Sequence, residues 1–281
     1  MADLDEIIAH LDGLLGSTGF PDYGPNGLQV PGRPEVRRVV TGVSAGAELF
    51  ERAIAAGADL VLVHHGLFWD RQPLALDRPA ARRLRMLLDA DVSLAAYHLP
   101  LDAHPTIGNN ALLAQALGAQ RLDGGGEAVG DVGPRDGDRS HGSSPAIGDG
   151  FALHAGRPIG VVARFPGPDG IGPGELVARA RDTAGGREPL AFLDGPERVR
   201  TIGIVSGGGS PYLDEAIALG LDAFLTGEPV ERVMLRAREA GIHYIAAGHY
   251  ATETNGVRRL GELLAERFGV EHGFVDVPNP I

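Results

Sequence analysis

The 281-residue chain contains no cysteine and no lysine; all 25 of its basic residues are arginine. The first absence excludes disulfides, thiolate-held zinc, iron–sulfur clusters and a cysteine nucleophile. The second excludes a Walker lysine, a Schiff-base lysine and a Ser–Lys dyad. Positive charge is scarce as well. A formal net charge of −12 argues against non-specific nucleic-acid binding, which needs a basic face for phosphate. No apolar run approaches the roughly 18–20 residues that a membrane-spanning helix needs. The opening residues, Met1 to Glu6, are acidic where a secretory signal is basic, so a cytoplasmic location is expected. Chemistry is left to His, Asp, Glu, Ser, Thr, Tyr, Arg and bound metal. What is plentiful is core-forming material: 43% hydrophobic against 22% charged. That balance fits a packed chain of one large or two ordinary domains.

Leu4, Ile7, Ile8, Leu11, Leu14 and Leu15 recur with a helical period. Strands are predicted at 36–43, 59–63, 92–97, 158–165, 199–205, 222–225 and 243–247. Helices are predicted at 47–56, 79–90, 109–117, 173–184, 211–219, 229–240 and from about 250 to 268. Such alternation predicts an α/β fold with parallel strands. Residues 123–150, rich in Gly, Pro, Asp and Ser, read as a long loop or boundary that divides 1–122 from 123–281.

Two stretches repeat. Residues 36–65 moved by 163 fall on 199–228 without a gap, matching at nine of thirty positions, among them Arg37, Gly57, Asp59 and Leu62. Residues 84–98 moved by 151 place Leu84, Arg85, Ala95, Ala96 and His98 on identical residues, and Asp102 on Glu253. The ordered matches predict two homologous α/β lobes from an internal duplication.

Three polar clusters follow predicted strands: His64-His65, His98 to Asp102, and His249 to Glu253. Ligands of open parallel sheets bind at the carboxyl ends of strands. Glu253 is four residues after His249 at a helix start, so both side chains share a face. Pro100 argues against a regular helix between His98 and Asp102, and convergence there is expected from a loop. Paired histidines in a strand would diverge, so Gly66 is read as marking a strand already ended. Imidazole with carboxylate suits zinc, iron, manganese, cobalt or nickel. Five or six such groups exceed one tetrahedral ion's needs, which points to two divalent ions and an activated water. A lone histidine after a strand is usually structural, the reading taken for His10, His141, His154, His243 and His272.

Gly42-Val-Ser44-Ala-Gly46 fits the G-x-S-x-G elbow of serine hydrolases. No strand precedes it to place an oxyanion loop, so a tight strand–helix turn is the favoured reading. Its repeat counterpart, Ser206-Gly-Gly-Gly-Ser210, could cradle a phosphate at a helix start.

Five segments together resemble the YbgI-type, Nif-three-like dinuclear metal-centre family, whose members are named GTP cyclohydrolase 1 type 2 homologues. They are Asn26 to Val30, His64 to Trp69, His98 to Asp102 with Gly108-Asn109, Gly248 to Glu253, and Phe274 to Pro280. The similarity spans essentially the whole chain. It implies a dimetal site held by His64, His65, Asp102, His249 and Glu253, between the lobes, in a ring-shaped homo-hexamer. The family usually carries Trp-Asp before Asn26, where this chain has Tyr23-Gly24-Pro25, and His-Thr-Asn-Leu-Asp where this chain has His98-Leu-Pro-Leu-Asp102. The resemblance implies a metal-dependent hydrolase acting on a purine nucleotide such as GTP. His98 and Glu253 are the catalytic candidates, His98 as a supporting or proton-transfer group, with Glu228 a weaker one. The alternatives are a non-catalytic metal-binding ring scaffold and a serine hydrolase using Ser44.

Overall fold

A computed structural model describes residues 1–73, 75–122 and 150–281. The loop expected at 123–150 lies, but for Gly150, outside the described residues. The fold is mixed α/β and divides into two compact units, one of residues 1–109 and 253–279, the other of residues 110–252 and 280–281.

The first unit opens with β1 (Ala2–Asp3), α1 (Leu4–Leu15), β2 (Gly27–Val30), β3 (Glu35–Val36) and β4 (Arg38–Ser44). It continues through α2 (Ala47–Ala55), β5 (Leu60–His65), α3 (Arg78–Ala90), β6 (Ser93–Ala96) and α4 (Leu99–Ala103). Asp3 caps α1 by accepting from the Glu6 N–H at 3.1 Å, and Asp77 caps α3 through the Ala80 N–H at 2.7 Å. Leu60 to Val63 are fully buried, as a central parallel strand covered on both faces requires. Leu49, Phe50 and Ala53 of α2 and Leu87 of α3 pack with Val40, Val61, Val63, Leu94 and Ala96.

The second unit holds α5 (Asn109–Ala116, all but its first residue), β7 (Gln120–Arg121), β8 (Phe151–His154), β9 (Arg157–Arg164), α6 (Pro173–Thr183) and β10 (Leu190–Leu193). Then come β11 (Thr201–Val205), α7 (Leu213–Ala218), β12 (Ala223–Thr226), α8 (Val233–Ala240), β13 (His243–Ala246) and α9 (His249–Thr252). The strands β11, β12 and β13 are parallel neighbours, with β10 and β9 antiparallel on either side. Its core gathers Leu113, Phe165, Leu176, Ile202, Ile204, Leu225 and Ile245.

The chain then returns to the first unit with α10 (Thr254–Phe268) and β14 (Glu271–Phe274). This differs from the expected division at 122/123. The physical reason is pairing: β14 runs parallel to β4, giving the sheet order β14-β4-β5-β6-β2, and α10 packs on β4 and β5. The strands β1, β2, β7, β8, β10 and β14 lie outside the predicted ones. Each has two or four residues, too few for a period of two to stand out.

The offset of 163 recurs as structure. Asp59 accepts from the N–H groups of Arg37 and Arg38 at 2.8 and 3.1 Å. Asp222 accepts from those of Arg200 and Thr201 at 2.9 and 3.0 Å. The offset of 151 needs correction. The registers Leu60↔Ser93 and Ala223↔His243 set the strands 150 apart, so the identities drawn through Leu84, Arg85, Ala95 and Ala96 are one residue out of register. One extra residue, Gly248 at φ 102, then restores 151 from His98 to His249.

Candidate metal centre

The fold corrects two local expectations. Residues 99–103 form a short helix, α4, despite Pro100, because proline in the first turn displaces no intrahelical bond. The N–H groups of Leu101 and Asp102 both donate to the His98 carbonyl, at 2.9 and 3.2 Å. Likewise β5 does not stop at Val63 but runs through both histidines. Its ladder with β6 ends at Val63↔Ala96. Beyond that rung the strand is held on one side only, and the rings of His64 and His65 converge to 4.7 Å between centroids.

Within the first unit, one ring nitrogen each of His64, His65 and His98 lies within 4.8 Å of the others, as do ligand atoms of His64, Asp102 and Glu253. The expected helix from about 250 to 268 is broken at Glu253, whose φ of −114° and ψ of 6° separate α9 from α10. Glu253 is thereby the cap residue of α10. His98, expected as a supporting group, stands among the ligand candidates by position. His249 opens α9 in the second unit, where its Nδ1 lies 2.5 Å from Glu228 Oε1.

His64 is wholly buried. Its Nδ1 is 2.9 Å from the Tyr97 carbonyl oxygen, which only accepts, so Nδ1 carries the proton and donates. In the neutral ring Nε2 is then a bare lone pair. That lone pair faces Asp102 Oδ2 at 3.5 Å and Glu253 Oε1 at 3.6 Å, with no hydrogen-bond partner among the described residues. A buried lone pair turned toward two carboxylates is repulsive unless a cation lies between them. Burial works to pull the His64 pKa down, but Asp102 and then Glu253 outweigh it, so the ring is held well above its ordinary value. For Asp102, burial pushes up and the neighbouring imidazolium pulls down further; the net direction is down. A proton and a divalent ion thus compete for the place that this donor set offers.

His65 Nε2 is 3.2 Å from Glu253 Oε2, and its Nδ1 is 3.0 Å from Ser44 Oγ. A serine–histidine–acid series is thus present in outline. The N–H of Ala45, however, donates to the His65 carbonyl at 2.8 Å and that of Gly46 to the Ser44 carbonyl at 2.7 Å. The backbone donors that an oxyanion hole would use at this elbow are engaged. The glycine-rich turn is similar. The N–H groups of Ser206 and Gly207 donate to Asn110 Oδ1 and Thr252 Oγ1, and α7 beyond it has six residues.

Sequence reasoning missed Asp22. Its carboxylate lies 2.6 Å from His98 Nδ1 and also accepts from Asn26 Nδ2 at 2.8 Å and the Leu99 N–H at 2.9 Å. Burial would raise the pKa of Asp22, but the hydrogen bond and charge of His98 take it below the ordinary carboxylate value. Asp22 immediately precedes the Tyr23-Gly24-Pro25 stretch in which the chain departs from the family's Trp-Asp. In the sequence Asn109 stands out only as part of the Gly108-Asn109 motif. Its amide donates to Asp102 Oδ1 at 2.8 Å and accepts the Gly256 N–H at 2.8 Å.

Strand-end imidazoles and carboxylates on a parallel sheet define an α/β protein with a candidate metal centre. The model of the Duf34/NIF3 (NGG1p interacting factor 3) family matches residues 2–280, and the chain belongs to that family. A Pseudomonas aeruginosa protein named GTP cyclohydrolase 1 type 2 homolog is 43% identical over 277 residues, covering 99% of this chain and 98% of its own. An Escherichia coli K12 protein of the same name is 39% identical, covering 95% and 94%. Among solved structures, protein ybgI superposes with a TM-score of 0.84 at 36% identity, and a Thermus thermophilus protein with 0.79 at 35%, each covering both chains fully. Among the described residues no helix is long and apolar enough to cross a membrane.

Proposed function

We propose that this chain is a metal-dependent hydrolase with a dinuclear centre, acting on a nucleotide-type substrate. The observation that carries the metal is the buried Nε2 of His64, turned to Asp102 and Glu253 with no hydrogen-bond partner among the described residues. His64, His65, His98, Asp102 and Glu253 would hold it, joined by His249, four residues before Glu253 in the chain. Mixed nitrogen and oxygen donors suit zinc, iron, manganese, cobalt or nickel. A divalent pair bound there supplies Lewis-acid polarisation of a substrate oxygen and a water acidified toward neutrality.

The protein's own part is to orient and to shield. Tyr97, Ser44 and Asp22 each hold one ring nitrogen of His64, His65 and His98, fixing which nitrogen faces inward. The Trp69 ring stands edge-on to His98 at 5.1 Å and near His65 at 5.9 Å, an apolar wall beside the imidazoles. A purine nucleotide as substrate is supported by the names of the relatives, which are GTP cyclohydrolase 1 type 2 homologs. The homo-hexamer follows from the family resemblance and is read by light scattering after gel filtration.

The test is elemental analysis of the untagged protein beside a variant carrying His64→Ala and His249→Ala. The variant is expected to keep its circular dichroism and lose stoichiometric metal; full retention of metal overturns the ligand set. GTP and other nucleotides are then screened for hydrolysis with the metal found. Metal loading with no turnover and no exchangeable water on the ion supports the scaffold reading instead.

A further inference from the structure

The four imidazoles differ in what lies behind them. His64 and His65 place Nδ1 against uncharged groups, the Tyr97 carbonyl and the Ser44 hydroxyl. His98 and His249 place Nδ1 against carboxylates, Asp22 at 2.6 Å and Glu228 at 2.5 Å. We infer that Asp22 and Glu228 are positioning residues: each keeps the proton of its histidine on Nδ1 and presents the Nε2 lone pair to a cation. This rests on the metal-binding reading above.

Both residues are held in place. The Asp22 side chain is 2% exposed and receives Asn26, Leu99, Tyr23 and His98 as donors, so it acts solely as an acceptor. Glu228 is fixed through its backbone. Its carbonyl accepts the Tyr244 hydroxyl at 2.8 Å and the Ser210 hydroxyl, and its N–H donates to the Gly207 carbonyl at 3.0 Å. Burial, with a smaller contribution from the Glu228 charge, pushes the Tyr244 phenol up to about 12, so it remains a donor. The preceding residue must be glycine, because a Cβ at Gly227 would sit 2.6 Å from His249 Cα. The turn that carries Glu228 is thus pressed against the backbone of the histidine it serves. A charged acceptor also polarises the Nδ1–H bond and makes the opposite nitrogen a stronger donor to metal.

The experiment uses the full chain, Asp22→Asn and Glu228→Gln, and cobalt(II) as the probe. Nitrogen-15 spectra of the metal-free protein at pH 8 are expected to show His98 and His249 protonated on Nδ1. Each variant is expected to shift the tautomer of its own histidine alone. In cobalt-loaded protein each variant is expected to lose the ion to a chelator roughly 10–100-fold faster. A tautomer that does not move overturns the inference, as does loss at the wild-type rate. Should Asp22→Asn fail to fold, Glu228→Gln decides, since that side chain is 36% exposed. Should the wild type take up no cobalt, the metal-binding reading fails and the tautomers still decide this one.

Discussion

Asn109 Nδ2 lies 2.8 Å from Asp102 Oδ1, and the oxygen of the same amide accepts the Gly256 N–H at 2.8 Å. One wholly buried side chain thereby ties α4 to the first turn of α10, the helix that Glu253 caps. Asn109→Ala removes the acceptor of that N–H and one donor to the Asp102 carboxylate. The expected cost is about 2–4 kcal/mol in urea unfolding, with weaker metal retention in the folded fraction. Unchanged stability and unchanged metal content would show that the amide clamps nothing.

Gly256 permits this clamp. A Cβ there would lie 2.6 Å from Asn109 Oδ1 and 3.1 Å from a Leu101 methyl. Gly256→Ala is expected to destabilise by about 1–3 kcal/mol through overpacking, although alanine favours the helix. A thermal melt equal to or above wild type would refute the close approach.

Asp59 and Asp222 are a second pair worth testing. Each accepts two adjacent backbone N–H groups where a strand begins, Asp59 in one unit and Asp222 in the other. Asp59→Ala and Asp222→Ala are each expected to cost about 2–3 kcal/mol. Having no shared partner, they should add in the double variant to within about 0.5 kcal/mol. A large coupling energy would deny that the two anchors work separately.

The pH dependence of stability should carry the mark of His272. Its Nε2 is 2.9 Å from Thr41 Oγ1. Burial lowers its pKa; Glu262 works against this and Arg258 with it. The unfolded ring therefore protonates first. Its contribution is full above about 6.5 and is lost as pH falls through the folded value. His10 is lowered as well, while His64 is raised and acts in the opposite sense above about 6.5. The readout is accordingly a difference: His272→Gln should flatten the fall in Tm between pH 7 and 5 relative to wild type. Parallel curves would remove His272 from the account.

Much of this was legible in the chain. The run Leu60 to Val63 is apolar without interruption, as a central parallel strand covered on both faces requires. The matched aspartates at an offset of 163 marked two strand starts that share a hydrogen-bond scheme. The clusters at 64–65, 98–102 and 249–253 stood out because imidazoles and acids followed apolar runs. What escaped was whatever depends on distant packing. Asp22 sits in an irregular segment with no period to frame it, and meets His98 only across a sequence separation of 76. The break at Glu253 is also silent, since Thr252 to Asn255 contain neither proline nor glycine. The return of β14 to β4 spans more than 200 residues, a separation over which local pattern carries no information.

Tyr97 connects two places that look unrelated. Its carbonyl steadies His64, while its hydroxyl donates to Asp12 of α1 at 2.9 Å. The amino-terminal helix is consequently a buttress for an imidazole it never touches. A shortened chain starting after Leu15 would strand a buried phenol, and the slackness would be passed along the tyrosine to the ring.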